Sequence, residues 1–187
     1  MSVDFFGKTA FVRSLTTLAL VGGVCASLSS AEPLGGPPAA GSASQNHVGQ
    51  CRPDRSEKSS LAVVKSFYEN LGKGDLPAML ELFAKDSKWI LHGPSGIPFA
   101  GTHEGRAGIQ AFIESFGKNA QVSKFETREF IVDNHKVVVL GYEEATATPT
   151  GKSWKAHWTH VFTVHGGKIV LVDEVVDTAA ILAAFQP

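Results

Sequence analysis

Residues 158–174 read WTHVFTVHGGKIVLVDE, a short hairpin with His160 on one arm and the acids Asp173 and Glu174 near the end of the other. An imidazole beside a carboxylate in apolar surroundings is a workable general base. Burial raises the acid's pKa and lowers the histidine's, while their mutual attraction opposes both shifts. Such a pair can remove a proton from the carbon next to a carbonyl. The same two side chains can also satisfy each other in a purely structural role, so what matters is which way they point.

Side chains alternate between the two faces of a strand. In the strand from Trp154, the even positions Trp154, Ala156, Trp158, His160, Phe162 and Val164 are mostly aromatic and apolar, whereas Lys155, His157, Thr159 and Thr163 alternate with them. His160 is therefore expected on the inward face. TPTG before this strand suits a type I turn with Gly151 left-handed and a three-residue loop, pairing Thr148 with Lys152. That register sets Tyr142 opposite Trp158 and Leu140 opposite His160, with Tyr142 and Glu144 inward. The second hairpin leaves two alternatives. A two-residue Gly166–Gly167 turn puts Asp173 opposite His160, whereas a three-residue loop puts Glu174 opposite Trp158, diagonal to His160 and within reach.

The elements that must hold this hairpin follow from periodicity. SLAVVKSFYENLG has helical spacing, with Ser59 as cap and Gly72 as stop. DLPAMLELFA is a second helix capped by Asp75, with Pro77 in its first turn. KWILHG reads as a short strand and PSGIPFAGTHEG as a loop. RAGIQAFIESFG is a third helix with Ile109, Phe112, Ile113 and Phe116 on one face. The chain from Val122 is a run of strands, closed by a short helix TAAILAAF. Helices first and a meander afterwards predict an α+β fold: a curved antiparallel sheet forming a cone-shaped barrel, with the N-terminal helices packed on its concave face.

The order of these elements resembles the nuclear transport factor 2-like cone, and within it the SnoaL-like polyketide cyclases and ketosteroid isomerases. The resemblance covers about residues 59–185 and rests on FYENLGKGDLPAMLELFAKDSKW, on HGP…PFAGTHEGRAGI, and on HVFTVHGGKIVLVDEVVDTAAI. It implies that His160 and Glu174 match the His and Asp of the cyclases' acid/base pair, with Asp replaced by the longer Glu. It also implies an unfilled interior that takes a small apolar molecule, and a homodimer formed through the sheet. Fold alone does not assign a reaction, since the same cone hosts isomerases, cyclases, hydrolases and non-catalytic proteins.

The isomerase mechanism fails on inspection. Aligned on LGKGDL, LFAKD and HVF, the isomerases' tyrosine position reads Phe67, their proton-shuttling aspartate Leu91, and their oxyanion-hole aspartate His160. An epoxide-hydrolase-like Asp-Arg-Asp set has no arginine at the inward positions that can be placed: Arg106 begins the third helix, and the facing of Arg128 is open. His157 and His160 are three apart on a strand and point to opposite faces, so they share no metal ion without a bulge, and neither a metal nor a cofactor is expected. The expected ligand-lining residues are Trp89, His92, Phe112, Tyr142, Trp158 and Phe162, around the catalytic candidates His160 and Glu174. The alternative is a non-catalytic ligand-binding or protein-interaction module of the same fold, its cone filled by those aromatic rings.

The rest of the chain bounds its setting. It has 187 residues, with 17 basic against 18 acidic side chains and a net charge of −1. That near-balance gives no electrostatic reason to expect nucleic acid or an anionic membrane as partner. Residues 1–31 read as an export signal: Lys8 and Arg13, an apolar run LTTLALVGGVC, then Ser29 and Ala31 before a cleavage site. The apolar run is too short to span a bilayer, which needs about 20 residues, so no stable membrane insertion is expected after signal removal. Residues 32–58 are a Pro-, Gly-, Ala- and Ser-rich linker, and 59–187 form the domain. Cleavage after Ala31 leaves Cys51 without an internal disulfide partner. The expected location is secreted or periplasmic.

Overall fold

The computed structural model describes residues 55–187; the expected export signal and all but the end of the linker lie outside the described residues. Helix α1 (Arg55–Lys73) begins four residues before Ser59, so the last residues assigned to the linker are helical. Ser59 does not cap it: its hydroxyl donates to the Ser56 carbonyl inside the helix, at 2.8 Å. The helix also runs past Gly72. It stops where Gly74 takes φ +68°, with Gly74 N–H donating to Leu71 O and Asp75 N–H to Asn70 O, the pairing of a Schellman close. Asp75 then caps α2 (Leu76–Glu81) by accepting from Ala78 N at 3.0 Å.

Helix α2 is shorter than its sequence suggests. Phe83 leaves the helix to start β1 (Phe83–Leu91), where it is fully buried against Phe67 and Trp89. Tertiary burial of one aromatic ring outweighs the helical preference of LELFA. The loop after β1 also contains an element that its Pro/Gly content hid: β2 (Gly101–Glu104), paired antiparallel to β1. Helix α3 (Gly105–Asn119) buries Ile109, Phe112 and Ile113 as its spacing predicts. Strands β3 (Ala120–Asp133), β4 (Lys136–Ala147), β5 (Ser153–His165) and β6 (Lys168–Val176) follow, and α4 (Thr178–Phe185) closes the domain.

The fold class is α+β, and the sheet is mixed and open rather than a closed antiparallel barrel. Its order is β2-β1-β6-β5-β4-β3, with β1 parallel to β6 and all other neighbours antiparallel. Phe67 of α1, Phe112 of α3 and Phe185 of α4 reach the same inner face, meeting Phe162, Trp89 and Trp154 respectively. Among the described residues, no helix is long and apolar enough to cross a membrane.

Both hairpin registers matter to the site. The β4–β5 turn closes with Ala147 N–H donating to Lys152 O, leaving four residues, 148–151, in the loop. Gly141 therefore lies opposite Trp158 and Val139 opposite His160, one residue from the sequence expectation. Because the side-chain period is two, that single step exchanges the faces of β4. Gly141 and Glu143 point inward, and Tyr142 and Glu144 point outward. The β5–β6 turn is the two-residue form, with Gly166 and Gly167 both at positive φ and His165 opposite Lys168. A register shift between Val164 and Thr163 then moves the pairing by one residue and sets Glu174 directly opposite His160.

Candidate proton-transfer site

Strand β5 carries His160 inward, as alternation predicts, and leaves it 4% exposed. Its Nε2 lies 3.5 Å from Glu174 Oε1. This is within ion-pair range but long for a hydrogen bond. The other carboxylate oxygen, Oε2, accepts from Trp89 Nε1 at 2.7 Å. On the far side of the imidazole, Nδ1 is 2.8 Å from the Tyr68 hydroxyl, delivered by α1. Four side chains from α1, β1, β5 and β6 thus form one continuous polar line: Tyr68, His160, Glu174, Trp89.

The direction of the protons along this line follows from chemistry. Burial, and secondarily the negative charge of Glu174, hold the Tyr68 phenol well above its ordinary pKa, so it keeps its proton. A protonated phenol donates to Nδ1. A neutral imidazole then carries its own proton on Nε2, directed at Glu174 Oε1. The carboxylate receives two N–H groups, from His160 and from Trp89, and is fixed in orientation.

Aromatic rings enclose the line. Trp158 stacks on His160 with ring centres 4.3 Å apart, Trp89 meets it edge-on at 5.6 Å, and Phe162 lies 5.9 Å away. Phe112 packs on Trp89 at 4.9 Å. Trp89, Phe112, Trp158 and Phe162 therefore all gather around the pair. Two expected site residues do not. His92 is outside, its side chain 60% exposed and bonded to Asp173 at 2.8 Å, because both follow the outward alternation of β1 and β6. Tyr142 is on the outer face through the β4 register. There its hydroxyl donates to Glu144, and Lys124 and Arg128 lie over its ring. Arg128 is on that outer face too, near His157, while Arg106 is tied to Glu81 and the Phe83 carbonyl. Neither arginine belongs to the site.

Two functional candidates were missed from sequence. Tyr68 looked like one more apolar position of the α1 stripe, although a phenol at a buried position calls for a hydrogen-bond partner. A three-residue β4–β5 loop would turn Glu143 outward, and the observed four-residue loop turns it in. Glu143 is 6% exposed, and Trp154 Nε1 donates to its Oε1 at 2.8 Å. Burial pushes its carboxyl up to about 7; the Trp154 hydrogen bond opposes this and the charge of Glu174 adds to it. A shallow surface depression of about 430 Å³, beside Leu76, Leu80, Glu81 and Arg106, contains none of these residues.

An open mixed sheet with helices over an aromatic inner face, where His160 meets Glu174, has the architecture of an NTF2-like α+β domain. Residues 64–172 match the SnoaL-like domain family, and the chain belongs to it. Among solved structures it is similar to an NTF2-like protein from Burkholderia xenovorans. That match has 28% identity and a TM-score of 0.66, covering 71% of this chain and 100% of the other. An NTF2-like protein from Burkholderia thailandensis is 26% identical with a TM-score of 0.63, covering 68% and 98%. TerC, co-crystallized with polyporic acid, shares the fold at 23% identity and a TM-score of 0.60, covering 69% and 99%. No curated protein matches the chain significantly.

Proposed function

We propose that the domain binds a small apolar carbonyl compound and moves a proton at the carbon beside its carbonyl, as a cyclase- or isomerase-like enzyme. The observation that carries this reading is the enclosed line from Tyr68 through His160 to Glu174. Glu174 takes the proton from carbon. His160 holds the carboxylate through Nε2–H, and Trp89 fixes its second oxygen. The 3.5 Å gap between Nε2 and Oε1 leaves the pair loosely closed, as acid/base groups often are before a ligand tightens them. TerC, which shares the fold, was co-crystallized with polyporic acid, and this supports a small-molecule reading without naming the guest here.

A second reading, a non-catalytic ligand-binding or interaction module, is favoured by one observation: the rings of Tyr68, Trp89, Trp158 and Phe162 crowd His160 on all sides. We also propose a homodimer through the outer face of the sheet. There Ile131 and Val175 are about half exposed beside half-buried Val138, Leu140, Val161 and Leu171. Export through residues 1–31 belongs to the same proposal, and N-terminal sequencing of the mature protein should then begin at Glu32.

Native mass spectrometry of the chain purified gently from its own host tests these readings together. A dimer carrying a specific small molecule, lost in His160→Ala, is the expected result. An empty protein that stays empty after incubation with host extract points to the interaction module, and an empty monomer removes the dimer as well.

A further inference from the structure

The inner face holds polar atoms that the Tyr68–His160–Glu174 line does not use. Trp158 is 2% exposed, and its Nε1 is buried with no hydrogen-bond partner. Leaving such a donor unmade costs about 1–3 kcal/mol, and each such group in a folded protein calls for an explanation. The other two tryptophans are satisfied: Trp89 donates to Glu174 and Trp154 to Glu143.

Trp158 is also held in place at a cost in sequence freedom. Its indole lies flat across Gly141, where a Cβ would fall 2.0 Å from Cζ2. Any side chain at position 141 would displace the ring. Glu143 is the next inward residue of β4 and lies opposite Ala156, so Trp154 and Trp158 flank it on β5 as diagonal neighbours. Trp154 engages Oε1 of Glu143, and the described residues give its Oε2 no hydrogen bond. Two polar groups with capacity to spare therefore sit side by side on the inner face, next to the imidazole on which Trp158 stacks.

We propose that the Trp158 N–H and the Glu143 carboxyl form an oxygen-binding pole of the same site, which takes the carbonyl oxygen of the ligand while its neighbouring carbon faces Glu174. This rests on the small-molecule reading above and deepens it by naming the recognised group. An indole N–H offers only a donor, so the group it binds is an acceptor. A neutral carboxyl offers an O–H in addition, and burial keeps Glu143 partly protonated near neutral pH. Two donors on one oxygen select a ketone or enone over its hydrocarbon isostere. They also hold the negative charge that reaches that oxygen when the carbon loses its proton. Nothing covalent forms: the proton passes from carbon to the Glu174 carboxylate, and the electron pair moves onto the oxygen.

The chain has three tryptophans, so indole ¹⁵N–¹H spectra carry one reporter for the Glu174 end, Trp89, and two for the oxygen-binding pole, Trp158 and the Glu143-bound Trp154. Acetophenone and ethylbenzene, which share one carbon skeleton with and without the carbonyl oxygen, serve as probes with the full chain. Acetophenone should move the Trp158 indole proton downfield, and ethylbenzene should not. Trp158→Phe keeps a ring and removes the donor, and should weaken acetophenone binding about tenfold while leaving ethylbenzene binding unchanged. Glu143→Leu should do the same, with Glu143→Gln, which restores an N–H donor, recovering most of the loss. If acetophenone shifts the Trp89 resonance but not Trp158, the proton-transfer site stands and the oxygen-binding pole falls. If both probes act alike on Trp158, or Trp158→Phe binds acetophenone like wild type, the pole is also overturned. A spectrum that acetophenone leaves wholly unchanged overturns the pole and the small-molecule reading together.

Discussion

The inner face of the sheet has two halves built on the same strands and opposite in character. Toward the β3–β4 and β5–β6 turns it is dominated by Phe67, Phe83, Val137, Phe162 and Ile169, all fully buried, and its buried hydroxyls, Ser87 and Ser60, are spent on the backbone carbonyls of Ala84 and Asn134. Further along the same strands come His160, Trp158 and Glu143, as enclosed as their neighbours, and Glu174, whose side chain is 12% exposed; all four carry charge or hydrogen-bonding capacity. The first half is what a core needs. The second is costly to bury, and that cost is the physical reason to read it as a site rather than as more core.

Truncation should separate the halves most sharply. Phe162→Ala opens a cavity in the apolar half and should cost about 3–5 kcal/mol in a denaturant titration. Trp158→Phe, in the polar half, should stay within about 1 kcal/mol of wild type, because the lost packing is offset by removal of an unpartnered donor. If the two substitutions cost the same, the distinction between the halves fails.

The next largest effect is pH-dependent. Glu143 titrates at about 7 in the folded protein against an ordinary 4.5. The folded state therefore binds this proton more tightly than the unfolded state. Glu143's contribution is complete below pH 4.5 and is lost as pH rises through about 7, a total of about 3 kcal/mol. Of the groups facing it, Trp154 opposes this shift and Glu174 reinforces it. Glu143→Gln should remove the slope, so that the variant gains on wild type between pH 5 and 8. Parallel stability curves across that range would contradict a buried, proton-holding Glu143.

The smallest effect lies outside. Asp173 and His92 are neighbours of the site in sequence but form an exposed pair on the opposite face. Asp173→Asn should change stability by no more than about 0.5 kcal/mol and leave ligand binding untouched. A binding defect there would mean that Asp173, not Glu174, works with His160.

That choice shows how far the sequence could be read. The inward face of β5 was legible because six alternating positions from Trp154 to Val164 agree, and all six are buried. The partner strands were not, because each register depends on one residue. The β4–β5 loop closes on four residues rather than three, which turned Glu143 in and Tyr142 out. On the other side, the Gly166–Gly167 turn alone points to Asp173, and only the irregularity beyond Val164 restores Glu174. Bulges leave little trace in a strand of alternating valines. β2 was hidden for another reason: GTHE has no alternation and is a strand only because β1 offers it an edge. Tyr68 shows the limit of helical periodicity, which assigned its face correctly but not the use of its hydroxyl.

If His160 and Glu174 work as proposed, they transfer a proton at a carbon beside a carbonyl. The most direct test of this transfer is deuterium exchange into the acetophenone methyl group in D₂O, followed by proton NMR with the intact protein. Wild type should accelerate exchange over buffer, and Glu174→Gln and His160→Ala should each lower that acceleration by about 10²-fold or more, the scale of a general acid/base contribution. Exchange that is no faster than buffer, or that survives unchanged in both variants, would contradict it.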